Sequence, residues 1–345
     1  MPAMVDLGEK AFLKALLPQL NQAEIFVNGF GHDASIVDIG LEKLLAFKID
    51  RAPTPVALSR GWCDHRLWGR LAVVANVSDL LAAGSLPRAL MLSIVVPRSY
   101  DAGATSEIII GCQESCEQHG IAFVGGDTKE GSVVQVVGAA IGTVEKDFYL
   151  GRQKANPGDH LIIAGKLGGF SGALSMLDAK NEDISNNEAL LCCLTMPTAR
   201  VDEATYISKN QLARSACDLS DGLTDALGIF CSDGVGIELH EEKLPLHDNA
   251  VLAASKFSSA VYRYAFGVGD WAIAFVVPDV SVSRLFDGVP EGLEFADVGT
   301  FNSTGKCGVR MIDGSSEPFP TTINEHFRLR LEDDSTYLQA LLLDD

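Results

Sequence analysis

The chain has 345 residues, 47% of them hydrophobic and 21% charged, with 27 Lys and Arg against 46 Asp and Glu for a formal charge of −19. This is ordinary globular composition with enough apolar material for a buried core, and it excludes disordered, collagen-like and coiled-coil chains. So acidic a chain, with no Lys/Arg run longer than a pair, repels a phosphate backbone, which excludes nucleic acid as a general partner.

The opening MPAMVDLGEKAF lacks the basic and apolar regions of a signal peptide. The segments ASIVDI and LLAFKID, about residues 34–50, read as strands. Leu67, Leu71, Val74, Val77 and Leu81 recur at helical spacing and predict a helix over 67–83. ALMLSIVVP (89–97) is a strand stopped by Pro97, and 102–119 is a helix stopped by Gly120. Strands follow at 121–127 and 133–144. The Pro-Gly of KANPGD (154–159) marks a break, which divides the chain into residues 1–153 and 154–345. Past the break, HLIIAGKLGG starts with a strand. Helices are expected at 170–180, 188–195 and 199–209, strands at 235–240 and 272–277, and a further strand with a short amphipathic end in 303–345. This mixture is α/β (α+β). Its apolar runs are short and broken by Gly, Lys or Asp, so no membrane span is expected. Eight Cys with no CxxC read as buried or free thiols in a reducing, cytoplasmic setting.

Aspartates recur after apolar runs and beside Gly, Ser or turn residues: Asp33 in GHDAS, Asp50 in FKID, Asp79 in NVSD, Asp127 in VGGDT, and Asp218 and Asp221 in DLSDG. Any one alone is a helix cap or turn former. Six together point to converging carboxylates, which repel one another unless a cation neutralises them. Hard oxygen ligands select Mg²⁺, which bridges carboxylates to substrate phosphates. The ligand expected is therefore a nucleoside triphosphate held through metal. GKLGGFSG (165–172) has the wrong spacing for a phosphate-binding or dinucleotide loop and reads as a strand-to-helix turn.

In this order, GHDASIV, ANVSDLLAAGSLPRALMLSIVVP, VGGDT, GRQKANPGD and DLSDGL resemble the thiamine-monophosphate kinase family, within the PurM-like superfamily that includes aminoimidazole ribonucleotide synthase. The likeness runs from about residue 28 to 300. It implies a two-domain PurM-like fold, with an N-terminal ATP- and Mg²⁺-binding domain that forms a homodimer and a C-terminal α/β domain. The implied cofactors are Mg²⁺ and ATP, and the partner is a small-molecule substrate. By position, Asp33, Asp50, Asp79, Asp127, Asp218 and Asp221 are the implied metal ligands. Gly126, Asp127, Arg152, Ser220 and Lys48 are the implied nucleotide contacts, and Asp270, Trp271 and Phe327 face substrate.

Departures from the family pattern cluster. His32 replaces the first of two adjacent aspartates, and Lys48 and Ile49 replace hydroxyl residues before Asp50. Ala57 and Gly269 stand where a substrate-contacting His and Glu are implied. The chemistry of an ammonium predicts that Lys48 contacts phosphate or Asp33 and takes the place of one Mg²⁺. Three functions fit these residues. One is a kinase for thiamine monophosphate, another is a divergent ATP-dependent enzyme with another acceptor, and the third is a non-catalytic nucleotide-binding paralogue.

Overall fold

The period-2 and period-3.6 patterns resolve into two sheets with helices packed between and around them. A computed structural model describes residues 3–178, 188–320 and 341. Two short helices, α1 (Met4–Leu7) and α2 (Glu9–Leu16), precede the first sheet. They have no counterpart in the sequence expectations. The first sheet holds β1 (Ser35–Val37), β2 (Leu44–Ala52), β3 (Leu86–Val96), β4 (Ala122–Glu130) and β5 (Gln135–Val144), in the order β1–β2–β5–β3–β4. Only β3 and β4 run parallel. Between these strands come α3 (Val56–Ser59), α4 (Arg66–Ala82) and α5 (Ala102–Gln118). In β2 and β5 the residues alternate between buried and accessible, so one face of the sheet is covered and the other open.

Helix α4 is the covering element, and from Ala72 onward every residue on it is buried. Close approach explains how. A Cβ on Gly138 of β5 would lie 2.3 Å from Asn76 Nδ2 and 2.7 Å from the Ala72 carbonyl oxygen. On the far side, a Cβ on Gly111 of α5 would lie 2.1 Å from the Arg66 carbonyl oxygen. Glycine at these positions lets α4 lie directly on its neighbours.

The second sheet is built from β6 (His160–Ala164), β7 (Ser215–Asp218), β8 (Gly236–His240), β9 (Ile273–Val277), β10 (Phe295–Asn302), β11 (Gly308–Arg310) and β12 (Ser316–Glu317), in the order β12–β11–β8–β10–β6–β9–β7. Its helices are α6 (Gly169–Asp178), α7 (Glu188–Thr195), α8 (Val201–Lys209), α9 (Leu223–Phe230), α10 (Asp248–Phe257), α11 (Val261–Tyr264) and α12 (Asp279–Asp287). Strand β9 is buried along its whole length, as its unbroken run IAFVV requires of a strand covered on both faces. One face of this sheet (Ala216, Ile273, Phe275) joins Val73, Val77 and Leu80 of α4 in a single apolar cluster. The two sheets thus meet across α4. Strands β7 and β10 were not anticipated from the sequence. The first has only four residues and the second, FADVGTFN, carries polar residues on a half-buried course. Phe327 lies outside the described residues. Among the described residues, no helix is long and apolar enough to cross a membrane.

Candidate nucleotide and cation site

Three segments converge at one end of α4. The loop before β1 carries Asp33 and is closed by Asn28. The Asn28 amide donates to the Ala34 carbonyl (2.9 Å), and its oxygen accepts from the Ile36 N–H (2.8 Å). Gly29 and Gly31 supply the left-handed conformations that the loop needs. Helix α4 contributes Asp79. Strand β7 ends in Asp218, where Ser220 donates its hydroxyl to the Asp218 carboxylate. Asp33, Asp79 and Asp218 are each 5% exposed or less. One oxygen each of Asp33 and Asp218 is buried with no hydrogen-bond partner. Carboxylates are seldom so deep unless paired or coordinated.

Two cations meet the cluster. Arg152, in the segment between the sheets, donates from Nε (2.9 Å) and Nη2 (2.6 Å) to the same oxygen of Asp33. Its backbone N–H donates to His32 Nδ1 (3.0 Å). That bond requires an unprotonated Nδ1, and burial also lowers the His32 pKa. A Cβ on Gly151 would sit 2.6 Å from His32 Nδ1, so this contact needs glycine. Lys48 places its ammonium 2.6 Å from Asp79 Oδ2 and 3.6 Å from Asp50 Oδ2. Its partners are therefore Asp79 and Asp50. The expected contact with Asp33 is not made, and Arg152 takes one oxygen of that carboxylate instead.

Burial raises the Asp79 carboxyl well above its ordinary range, with the Asp218 charge adding to the effect. Asp218 is pushed up to about 7 by burial, then by Asp33. Two acids held towards the protonated form beside a third mark a place where added positive charge stabilises the fold. Cys217 also comes to Asp33 and Asp218, with ligand atoms within 4.8 Å of one another. Burial raises its thiol far above the usual range. The sequence reading missed Cys217, because adjacency to Asp218 along a strand says nothing about the loop that folds over it.

The remaining expected residues are placed differently. Asp50 is half-exposed on the α4 side of β2 and shares Lys48. Asp221 is half-buried in the turn leading to α9. Asp127 does not join the cluster within one chain. It pairs in register with Ser93 on the open face, has a side chain 60% exposed and lies 3.6 Å from Lys129. Gly126 is level with Asp50 but three strands away, about 14 Å at ordinary strand spacing. Its own constraint is packing, since a Cβ there would be 1.8 Å from the Leu92 carbonyl oxygen.

The residues expected to face substrate have partners within the fold. Asp270 accepts N–H bonds from Gly168 (2.6 Å) and Phe170 (2.8 Å). Its carboxylate therefore holds the GKLGGFSG turn at the start of α6, which is the strand-to-helix turn the sequence predicts. Burial raises it to about 6, against the pull of those amides. Trp271 is buried in a left-handed conformation. Gly269 has φ +91°, and a Cβ there would lie 2.7 Å from the Phe170 ring. Ala57 is buried against α6 and α7.

A cavity of about 640 Å³ opens on the uncovered face of the first sheet. His32, Asp33 and Lys48 line one part of it, and Phe47, Ile49, Met91 and Val124 form apolar walls.

The family described as AIR synthase related protein, N-terminal domain, matches residues 31–144. A thiamine-monophosphate kinase of Aquifex aeolicus is 32% identical over 276 residues, covering 79% of this chain and 87% of that protein. One from Pyrococcus horikoshii is 35% identical over 181 residues, covering 52% and 56%. A solved structure of AaThiL complexed with AMPPCP and TMP superposes with a TM-score of 0.78 at 26% identity, covering 94% of this chain and 99% of that one.

Proposed function

The chain belongs to the thiamine-monophosphate kinase family, and on that premise we propose that it transfers the γ-phosphoryl group of ATP to thiamine monophosphate, giving thiamine diphosphate and ADP. The single observation that carries this is the convergence of Asp33, Asp79 and Asp218, buried and with two carboxylate oxygens unpartnered. Burial keeps the neighbouring Cys217 thiol protonated, and the Asp33 and Asp218 carboxylates offer hard oxygen that fits Mg²⁺. Asp33 and Asp218 are the residues to hold it, with Asp221 and Asp50 at the margin. Mg²⁺ bound there neutralises charge on the polyphosphate.

The protein's own groups do the rest. In phosphoryl transfer a phosphate oxygen of the acceptor attacks the γ-phosphorus in line as the bond to ADP breaks, and no protein nucleophile is required. Catalysis is then positioning and charge stabilisation. Arg152, oriented by Asp33, presents a guanidinium suited to bidentate phosphate contact. Ser220 fixes the Asp218 carboxylate.

We further assign residues 1–153 to the nucleotide-binding domain and 154–345 to the second. The open face of the first sheet exposes Phe47, Ile49, Met91 and Val124. So many exposed apolar side chains on one face favour a partner surface, and a second copy of the chain is the occupant we propose. Asp127 projects from that same face, so it can reach a nucleotide only near such an interface.

A second reading, a different phosphorylated acceptor, is favoured by Gly269 and Ala57. Neither offers a polar contact, and Phe170 fills the space beside Gly269. The deciding experiment supplies ATP, Mg²⁺ and thiamine monophosphate and measures thiamine diphosphate and ADP. Equal formation of both products supports the kinase reading. ATP binding without thiamine diphosphate favours another acceptor.

A further inference from the structure

The buried cluster can be divided by charge. Asp33, Asp50, Asp79 and Asp218 contribute four negative charges, and Arg152 and Lys48 contribute two positive ones. The positive charges are unevenly spread. Arg152 serves one oxygen of Asp33, and Lys48 serves Asp79 and Asp50. The unpartnered carboxylate oxygens all lie at the other end, on Asp33 and Asp218. Lys48 is also seated rather than draped over the surface. Its register partner Ala140 is small, and Lys48 lies on the covered face of β2. Its side chain is 21% exposed and that of Asp79 is 7% exposed.

We propose that Lys48 is a resident cation, its ammonium filling the position between Asp50 and Asp79 that a divalent ion would otherwise take. One divalent position then remains, at Asp33 and Asp218, where two unpartnered oxygens are left to satisfy. This inference deepens the nucleotide-site reading above and rests on it for its meaning. A fixed monovalent charge on a covalent stem cannot dissociate, so half of the cluster stays neutralised at any metal concentration. The geometry is that of a charge-assisted contact in a protected setting, where leaving Asp79 without a partner is strongly unfavourable.

The test counts metal ions on the full-length protein without nucleotide, by Mn²⁺ electron paramagnetic resonance and isothermal titration. The parent is expected to bind one Mn²⁺ tightly. Lys48→Thr removes the ammonium and offers a hydroxyl oxygen, and is expected to bind two. Lys48→Met keeps most of the length of the side chain and removes the ammonium, charge and donors together. It should also gain an ion, and its thermal midpoint should rise with Mn²⁺ by at least twice the parent's shift. An unchanged count in both variants, with a Mn²⁺ shift no larger than the parent's, would overturn the proposal and leave Lys48 as a plain ion-pair partner. Adding a non-hydrolysable ATP analogue separates the two readings. If the analogue fails to bind any of the three proteins, the nucleotide reading falls, while the difference in metal count still decides the role of Lys48.

Discussion

Gly138→Ala tests whether the placement of Asp79 depends on the contact between α4 and β5. The added Cβ would lie 2.3 Å from Asn76 Nδ2 and 2.7 Å from the Ala72 carbonyl oxygen. Ordinary contact begins near 3.4 Å, so α4 and β5 must separate by several tenths of an ångström to about 1 Å. The helix cannot yield freely, because Gly111 on α5 leaves equally little room behind it. Overpacking of this kind costs about 1–3 kcal/mol. Asp79 is three residues from Asn76 on the same helix, so the displacement lengthens the 2.6 Å contact with Lys48. Gly228→Ala is the control. Nothing lies within 4 Å of a Cβ there, and the residue is inside α9, so alanine is expected to stabilise by up to about 1 kcal/mol. Urea unfolding of the three proteins measures the first effect, and ATP-analogue titration the second. Parent-like stability and affinity in Gly138→Ala would refute the reasoning, as would a Gly228→Ala variant that is the less stable of the two.

Asp79→Asn is expected to stay folded, because Lys48 keeps Asp50, and to bind Mg·ATP about 5- to 150-fold more weakly, the scale of about 1–3 kcal/mol for a lost charged contact; calorimetry checks this. The raised pKa values of Asp79 and Asp218 give a signed pH dependence. An acid whose folded pKa lies above its unfolded value loses stability as pH rises, and for Asp218 the window runs from 3.8 to about 7. Thermal shift by Mg²⁺ should therefore grow from pH 5.5 to 8, and a shift independent of pH would count against the cation site. Asp270→Asn replaces one acceptor oxygen with an amide that faces an N–H at the GKLGGFSG turn, and chemical unfolding should show a loss of about 1–3 kcal/mol.

Much of the architecture was legible because the chain states it locally. The buried helix α4 follows from the spacing of Leu67, Leu71, Val74, Val77 and Leu81. The turn at Gly165–Gly168 follows from its glycines, and β9 from its unbroken apolar run. Strand β7 was missed for a physical reason. Its four residues SACD carry no period long enough to read, and its burial comes from pairing with β9. Candidate site residues were legible as types and not as partners. The sequence singled out Lys48, Asp33 and Asp79 together but could not say which carboxylate the ammonium would reach. Arg152, 119 residues from Asp33, pairs with that carboxylate, while the ammonium reaches Asp79 and Asp50. Asp270 was recognised for its position, while its role as acceptor for two backbone amides appears only once the glycine turn has folded against it.

The two sides of the site are built on different principles, and this bears on how the family's chemistry is kept in this chain. On the nucleotide side, selection can act on charge. Any cation that neutralises Asp50 and Asp79 preserves the cluster, so a lysine can occupy the place of an ion and the carboxylates remain. On the acceptor side the constraint is shape. Gly269 sits at φ +91° against the Phe170 ring, where a non-glycine residue meets both backbone strain and a side-chain clash. A single substitution there cannot reinstate a polar contact, because the ring must move first. On the acceptor reading proposed above, changes in acceptor preference should be sought in paired substitutions at Gly269 and Phe170 instead of in either alone. Measuring thiamine diphosphate formation by Gly269→Glu, Phe170→Ala and the double variant decides this: the double variant should exceed both singles, and a gain in Gly269→Glu alone would show that Phe170 does not set the shape of the pocket.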